Sequence, residues 1–301
     1  MPTRDHHQDI RIGTIIRAEG APQTVNHLLP LGFECFQLTF GSHVGPTDLK
    51  RLAGDIQESL TRGGQGAVVS AVGVYGNPLI DDATRADWSR LIAAAADFGC
   101  NVVTGFAGRI VDRPIPESIP RFREVFGQLA REATDHGVRL ALENCDMGGT
   151  WERGEWNIAH APAAWEMLFD AVPEKSLGLE WEPCHQMVSL IDPIPQLRRW
   201  VGRIHHIHGK DASIHWDVLR EQGLRGGRTY VEHRTPGFGD TNWTDVISIL
   251  RQAGYRGTID IEGWHDPVYR DELEMTGQVH ALHYLKRCRG GDFVPNPPGY
   301  P

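Results

Sequence analysis

The sequence predicts a single-domain α/β protein folded as a (β/α)8 TIM barrel, and three observations support this prediction. The chain has 301 residues, enough for one barrel or for two ordinary domains. Strand-like and helix-like segments alternate along almost the whole chain, which is typical of a parallel sheet covered by helices. Polar residues gather where several strands end, the edge at which barrels carry their chemistry. A doubly wound open sheet is the second interpretation, but no GxGxxG spacing follows the first strand.

Eight apolar runs are predicted as strands, and the amphipathic segments between them as helices. The strands are 10–16, 34–40, 67–74, 101–105, 138–143, 177–182, 203–208 and 257–262. The helices are 22–32, 47–62, 82–98, 116–136, 161–171, 192–200, 243–253 and 269–287. We expect one domain over 1–301, with the barrel and its closing helix at about 10–288 and a loose Gly- and Pro-rich tail at 289–301.

Local signals mark the ends of these elements. Pro30 makes the end of the first helix irregular, and Thr47 is the candidate N-cap of the second. Gly99 and Gly137 stop the third and fourth helices. Pro183 ends the sixth strand, because proline cannot donate a hydrogen bond to a sheet ladder. The polar segment between the seventh strand and the next helix carries no predicted element.

The composition narrows the classes of partner and the cellular compartment. The formal net charge is −9. Because nucleic acids and anionic membranes bind clusters of Lys and Arg, we expect neither as a partner. Residues 1–13 contain no apolar segment of signal-peptide length, and no later stretch approaches a membrane span, so we expect a cytoplasmic protein. Five scattered cysteines without a CxxC pair predict neither a disulfide framework nor a structural zinc site.

The stretch 177–185, LGLEWEPCH, is the first candidate for part of a metal site. Alternate side chains of a strand face opposite ways, so Glu180 and Glu182 point the same way. His185 is expected on the loop just past the strand, near the last carboxylate. The alternative is an exposed edge strand, on which two glutamates flank Trp181 and His185 caps a turn.

Four strand ends in the second half of the chain carry metal-ligand side chains. They are Glu143, Glu182, His208 and Glu262. Three carboxylates and one imidazole at a barrel mouth suit Mn²⁺, Mg²⁺, Zn²⁺ or Fe²⁺. For Glu143 and Glu262 the alternative is the capping of a neighbouring helix. His206 shares a face with His208 and is expected deeper in the barrel as a hydrogen-bonded core residue.

These residues lie in motifs that resemble the xylose isomerase-like TIM barrel superfamily, in particular its sugar phosphate isomerase/epimerase group, which is similar to endonuclease IV in fold. The matching motifs are LALENC at 140–145, NIAHAP at 157–162, LGLEWEPCH at 177–185, IHHIHGKDA at 204–212, RTPGFGDTNW at 234–243 and GYRGTIDIEG at 254–263. The similarity runs through nearly the whole chain and is most specific in its second half.

The resemblance implies one divalent metal ion, Mn²⁺ before Mg²⁺, Zn²⁺ or Fe²⁺, held by Glu143, Glu182, His208 and Glu262. It also implies that His185 contacts the substrate or assists proton transfer. Glu182 departs from the family pattern, in which Asp stands in a DPxH motif. Its extra methylene leaves two alternatives open, a metal shifted outward or a backbone that retreats.

The resemblance further implies isomerisation or epimerisation of a keto- or aldo-sugar through a metal-stabilised enediolate. The residues permit this, since a divalent cation that chelates a carbonyl and its neighbouring hydroxyl acidifies the carbon-bound proton. Glu143 and Glu262 are the candidate base and acid. His185 and Lys210 are candidates for polarising oxygens, although Lys210 could instead form an ion pair with Asp211 or a neighbour. The other substrate-binding candidates are Asn144, Asn157, Arg109 and Trp264.

Three alternatives remain open at this point. The same enolate chemistry on a 3-oxo-glycoside would eliminate the C1 substituent, as a lyase or deglycosidase does, and segments 146–156 and 211–241 could then cover an aglycone or a small accessory subunit. An endonuclease IV-like enzyme would need a basic face. A barrel that binds a sugar without turnover is the third. The expected partner is a small carbohydrate, with a homo-oligomer also compatible.

Overall fold

The computed structural model describes residues 7, 9–64 and 66–299, and these fold as a closed barrel of eight parallel strands with a two-stranded arm. The strands are β1 (Ile10–Arg17), β2 (Cys35–Thr39), β3 (Val68–Val74), β4 (Val102–Gly105), β5 (Arg139–Glu143), β6 (Leu177–Trp181), β7 (Ile204–Gly209), β8 (Asp211–Ile214), β9 (Val231–Arg234) and β10 (Gly257–Ile261). Around the barrel they run β1, β10, β7, β6, β5, β4, β3, β2. The predicted (β/α)8 barrel is confirmed.

Helices cover the outside of the barrel. They are α1 (Ala21–Leu28), α2 (Leu49–Gly63), α3 (Asp82–Ala94), α4 (Ile115–Asp135), α5 (Pro162–Ala171), α6 (Pro183–Val188), α7 (Pro193–Trp200), α8 (Trp216–Gln222), α9 (Trp243–Gln252) and α10 (Glu274–Cys288). Large apolar side chains of the helices, such as Trp88, Trp165 and Trp243, are fully buried against the strands. No helix in the described part of the chain has the length and apolar character that a bilayer crossing requires.

Some element ends differ from the prediction for identifiable reasons. The N-cap of α2 is Asp48, whose carboxylate accepts a hydrogen bond from the Arg51 N–H, whereas Thr47 donates to the Val44 carbonyl. The chain does not loop after β6 but enters α6, with Pro183 at the first turn, where proline suits a helix. His185 therefore lies on a short helix.

The arm, residues 211–241, was expected to be polar and without regular structure. Instead β8 and β9 pair antiparallel, from Asp211 opposite Arg234 to Ile214 opposite Val231, with α8 between them. The arm leaves the barrel directly after β7 and packs on α6. It therefore lies at the carboxyl end of the barrel.

The interior of the barrel is polar at mid-height. Five buried polar side chains fill it, and these are Gln37, Thr104, Glu180, His206 and Asp260. Two glycines make room for this layer. A Cβ at Gly13 would lie 2.6 Å from Asp260 Oδ1, and one at Gly73 would lie 2.2 Å from Thr104 Oγ1. Because the strands are buried on both faces, an exposed edge strand at 177–181 is excluded.

The amino end of the barrel is closed by an ion pair from the far end of the chain. Arg289 donates to both oxygens of Glu34, at 2.6 and 2.9 Å, and to the Ile10 carbonyl at 2.8 Å. Arg289 is 3% exposed, so the start of the predicted loose tail is anchored. The outermost parts of the predicted domain, residues 1–6 and 300–301, lie outside the described residues, as do residues 8 and 65.

We predict that Arg289→Met lowers the free energy of unfolding by about 3 kcal/mol, because it leaves a largely buried carboxylate without its bidentate partner. Denaturant unfolding at pH 7 measures the change. The double variant Glu34→Gln/Arg289→Met should lose less than the sum of the two single variants, because the uncompensated charge is removed. Strict additivity would contradict the pairing.

We predict a pH-dependent effect of Glu34→Gln. Burial would raise the pKa of Glu34, but Arg289 and Lys286 hold that pKa at about 2, below its usual 4.5. A depressed folded-state pKa contributes stability above the unfolded value and loses it as pH falls. The difference between parent and variant, on the order of 3 kcal/mol at pH 7, should therefore shrink from pH 4.5 downwards. Exposed Glu58→Gln serves as the control, and a difference independent of pH would contradict the prediction.

Candidate metal centre

Four buried side chains meet at the carboxyl end of the barrel, and we call them the rim cluster. They are Glu143, Glu182, His208 and Glu262. Glu143 ends β5, Glu182 follows β6, His208 lies near the end of β7 and Glu262 follows β10. One possible ligand atom of each lies within 4.8 Å of those of the other three. Parallel strands bring their carboxyl ends to one rim, so residues separated by more than a hundred positions become neighbours.

The rim cluster holds polar atoms that its protein neighbours leave unsatisfied. Both carboxylate oxygens of Glu182, Oε2 of Glu262 and Nδ1 of His208 are buried without a hydrogen-bond partner among the described residues. His208 Nδ1 lies 3.3 Å from Glu143 Oε1 and 3.3 Å from Glu262 Oε2, yet bonds to neither. Such burial is costly unless something else binds these atoms. Three carboxylates and one imidazole fit a divalent cation.

Glu143 and Glu262, two carboxyls of the rim cluster, differ in their electrostatic surroundings. Burial raises the pKa of Glu143 to about 7, although His208 beside it acts in the opposite direction. Burial would also raise the pKa of Glu262, but the Lys210 ammonium and His208 hold it well below its usual range. The two carboxyls therefore have pKa values pushed apart, as in many acid–base pairs.

Lys210 and His185 form one wall beside the rim cluster. Lys210 donates to Glu262 Oε1 at 2.8 Å, and its Nζ lies 3.4 Å from His185 Nε2. His185 Nε2 in turn lies 3.0 Å from Glu182 Oε1. The alternative ion pair of Lys210 with Asp211 does not form, because Asp211 accepts from backbone N–H groups and from the Trp243 indole.

A cavity of about 400 Å³ opens above the rim cluster. Besides Glu143, Glu262, His208, Lys210 and His185, its lining includes Tyr75, Phe106, His233, Trp264 and His265. Trp264 stands at its mouth, 43% exposed, with a left-handed φ of 65°. A bulky residue in that region carries strain of about 1–3 kcal/mol, which is common at functional sites.

The arm supplies a cavity residue that sequence reasoning missed. His233 of β9 stands edge-on to His185, with ring centroids 5.2 Å apart, and 5.8 Å from the His265 ring. Burial lowers its pKa to about 4, so the ring is neutral at pH 7. Nothing in the sequence pattern marked this histidine, because the arm carried no predicted strand.

Two asparagines predicted to bind substrate are structural instead. The Asn144 amide donates to the Glu182 carbonyl at 3.0 Å and accepts from the Glu182 N–H at 2.7 Å. The Asn157 amide donates to the carbonyls of Glu143 and Cys145 and accepts two further backbone N–H groups. The Asn157 amide is fully used by the backbone, and the Asn144 amide is tied to both backbone groups of Glu182, so both position the rim cluster from behind.

Arg109 is also misassigned as a substrate-binding residue. It is fully buried, and its guanidinium donates to the backbone carbonyls of Arg113, Thr150 and Trp151. It therefore fixes the loop that follows β5. The sequence could not separate these roles, because a buried amide or guanidinium looks the same in a motif whether it faces backbone or ligand.

Glu180 was recognised as facing the same way as Glu182 but was given no role. It lies below the rim, fully buried, with Oε1 2.8 Å from His208 Nε2. Burial would raise its pKa, but the charges and hydrogen bonds of His208 and His206 hold that pKa at about 2. His206 bridges Glu180 and Asp260, which confirms its prediction as a hydrogen-bonded core residue.

Comparison with known proteins supports the predicted resemblance. One similar protein is an inosose dehydratase from Clostridium perfringens, 28% identical over 128 residues, which cover 40% of this chain and 41% of that protein. The matched region is thus less than half of that relative. Two solved structures share the fold. The first is 3-keto-D-glucoside 4-epimerase from E. coli, with a TM-score of 0.66 and 16% identity, and the match covers 93% of this chain and 100% of that one. The second is L-ribulose 3-epimerase, with a TM-score of 0.66 and 17% identity, and the match covers 93% of this chain and 96% of that one.

The family itself follows from a match along most of the barrel. The model of the xylose isomerase-like TIM barrel family matches residues 26–288, from α1 to the end of α10. With the closed barrel and the carboxylate-lined rim already described, the chain belongs to the xylose isomerase-like TIM barrel family.

Proposed function

We propose that this protein is a divalent-metal-dependent isomerase or epimerase of a keto- or aldo-sugar. The observation that carries the proposal is the rim cluster, in which four buried atoms have no hydrogen-bond partner among the described residues and which lies beneath a sugar-sized cavity. The proposal is compatible with the fold that the chain shares with two sugar epimerase structures at 16% and 17% identity.

In this proposal Glu143, Glu182, His208 and Glu262 hold one divalent cation, for which Mn²⁺ is the first candidate. When bound, the cation supplies positive charge that favours negative charge on a substrate carbonyl oxygen and acidifies the neighbouring C–H. The three carboxylates favour hard cations such as Mg²⁺ and Mn²⁺, and the one imidazole also admits Zn²⁺ and Fe²⁺.

Glu143 and Glu262 are proposed to move the proton. Both line the cavity, Glu143 from the end of β5 and Glu262 from just past β10, and in this proposal each approaches one face of a substrate carbon. Glu262 is held in place by Lys210, whereas Glu143 contacts only the His208 ring through Oε1 among the charged groups described. Removal of a proton by one carboxylate and its return by the other would invert the carbon, as epimerisation requires.

His185 and Lys210 are proposed to bind substrate oxygens beside the acid–base pair. Both are buried in the cavity wall, within 3.4 Å of each other. The Trp264 ring at the cavity mouth is proposed to cover the sugar and to limit access of water. The proposed partner is therefore a small carbohydrate.

A second candidate function is elimination from a keto-sugar or keto-polyol. The specific observation is the similarity to an inosose dehydratase, whose name describes loss of water from a keto-cyclitol. Proton abstraction next to the carbonyl would be common to both reactions, and elimination would follow if a leaving group stood on the adjacent carbon. On a 3-oxo-glycoside the same step would expel the aglycone, with the arm or an accessory subunit covering it.

We predict that Mn²⁺ stabilises the metal-free protein and that Glu182→Gln removes most of this effect. A ligand that binds only the folded state at 100 times its Kd adds about 2.7 kcal/mol. The substitution keeps the size of the side chain but removes its charge, so Mn²⁺ affinity should fall on the order of a hundredfold. Calorimetric titration measures the Kd. Exposed Glu152→Gln is the control, and equal affinity in parent and Glu182→Gln would exclude Glu182 as a ligand.

We predict that Glu143→Gln slows exchange of the substrate hydrogen next to the carbonyl by about 10² to 10⁴, the usual contribution of a positioned acid or base. Proton NMR in deuterated water follows the exchange on D-fructose, L-ribulose, a 3-keto-glucoside and an inosose at saturating Mn²⁺. Glu152→Gln should exchange at the parent rate. A Glu143→Gln variant that binds Mn²⁺ and exchanges at the parent rate would rule out this role.

The same experiment separates the two candidate functions. Hydrogen exchange accompanied by formation of a new sugar isomer indicates isomerisation or epimerisation. Loss of water or of an aglycone, with the ultraviolet absorbance of a conjugated enone, indicates elimination. Mn²⁺ binding without exchange on any of these substrates would contradict both.

A further inference from the structure

The inference concerns Glu180, a carboxylate in the middle of the barrel that does not line the cavity. It lies on β6 two residues before Glu182, so both side chains point inward at different heights. Glu180 is fully buried, whereas a TIM barrel interior at this depth is normally filled by branched apolar residues. A charge kept at such a position calls for a reason.

The Glu180 carboxylate is surrounded by protein hydrogen-bond donors. Oε1 accepts from Gln37 Nε2 at 2.8 Å and lies 3.1 Å from His206 Nδ1. Oε2 accepts from the Tyr75 hydroxyl at 2.9 Å. Oε1 also lies 2.8 Å from His208 Nε2. These contacts fix the carboxylate on all sides and leave no oxygen for a substrate.

The two nitrogens of the His208 ring face different surroundings. Nε2 lies 2.8 Å from Glu180 Oε1 and 2.9 Å from Gln37 Oε1, and both of these atoms are acceptors. A nitrogen between two acceptors carries the proton. Nδ1 faces the rim cluster and has no hydrogen-bond partner among the described residues. The ring is therefore turned with its hydrogen-bonded nitrogen inward and its free nitrogen toward the cluster.

We propose that Glu180 is a positioning residue that keeps the proton of His208 on Nε2 and so reserves Nδ1 as the ligand of the divalent cation. The inference rests on the proposed function, in which the rim cluster binds that cation. A carboxylate behind a metal-bound imidazole fixes the ring and makes it a better donor, and loss of such a group typically costs 10- to 100-fold in metal affinity.

Gln37 and Tyr75 support this role from β2 and from the loop after β3. Gln37 contacts both Glu180 and His208, and the Tyr75 hydroxyl lies 2.8 Å from Thr104 Oγ1. Because neighbouring barrel strands hold each partner, the orientation of His208 is set before a cation arrives. That arrangement lowers the cost of ordering the ligand on binding.

The first test measures Mn²⁺ affinity of Glu180→Gln by calorimetric titration. The variant keeps the size of the side chain and removes the charge, and we expect its Kd to rise 10- to 100-fold. Glu34→Gln is the matched control, because it makes the same change in a largely buried carboxylate at the other end of the barrel. Both variants should lose stability, but only Glu180→Gln should lose affinity.

The second test needs no variant at this position. Nitrogen-15 NMR of the Zn²⁺-loaded parent, with the His208 signals assigned by their loss in His208→Gln, should show a protonated Nε2 and a metal-bound Nδ1. The opposite arrangement would overturn the inference even if Glu180→Gln failed to fold. A Glu180→Gln variant that binds Mn²⁺ with the parent Kd would also overturn the inference. That result would not contradict the proposed metal centre itself. A parent that binds neither Mn²⁺ nor Zn²⁺ would overturn both the inference and the proposed function.

Discussion

Repulsion among buried carboxylates is the constraint on which the rest of this structure depends. Five of them lie within the barrel or at its rim, and they are Glu143, Glu180, Glu182, Asp260 and Glu262. Removing each such charge from water costs several kcal/mol unless partners satisfy it. In the lower layer partners are present, since Glu180 accepts hydrogen bonds from Gln37 and Tyr75, and Asp260 is hydrogen-bonded to His206 Nε2. In the upper layer both oxygens of Glu182 and Oε2 of Glu262 have no hydrogen-bond partner among the described residues, so a cation would offset the most uncompensated charge there.

Burial of apolar side chains between the strands and the helices offsets the free-energy cost of burying these carboxylates. Four tryptophans, Trp88, Trp165, Trp181 and Trp243, are buried outside the barrel wall rather than inside it. Each large side chain removed from water contributes about 1.5–3 kcal/mol. The outward faces of the strands therefore contribute most of the apolar packing, whereas the inward faces carry the polar side chains. On β6, Trp181 packs outward while Glu180 points inward, as the two-residue period of a strand dictates.

Much of this arrangement could be predicted from the sequence, because strand ends in a parallel barrel share one rim. That rule alone predicts that Glu143, Glu182, His208 and Glu262 lie close together. The two-residue period also placed His206 and His208 on one face, and the nearness of His208 to the strand end placed His206 deeper in the barrel. Rules of this kind act over a few residues, and the barrel topology then supplies the long-range contacts.

The remaining errors arise where the partner of a polar group is distant in sequence. Asn157 was predicted to hold a substrate hydroxyl, but all four of its hydrogen bonds are to backbone groups, and three of those groups lie in other segments. His233 was missed because the arm's antiparallel pairing brings it over the cavity, and the polar composition of the arm gave no strand signal. Glu180 shows the reverse case, since its orientation was predicted but its partners on β2 and β7 were not.

The backbone of Glu182, the residue that stands where the family has Asp, is held in place by its neighbours. Asn144 binds both the N–H and the carbonyl of Glu182, which ties that residue to the end of β5 as one more rung beside the β5–β6 ladder. A backbone held on both sides cannot retreat freely. The additional methylene is therefore accommodated by the side chain, whose oxygens reach the other ligand atoms while the strand end stays in place. Of the two alternatives left open by the sequence, a metal shifted outward or a backbone that retreats, these hydrogen bonds argue against the second.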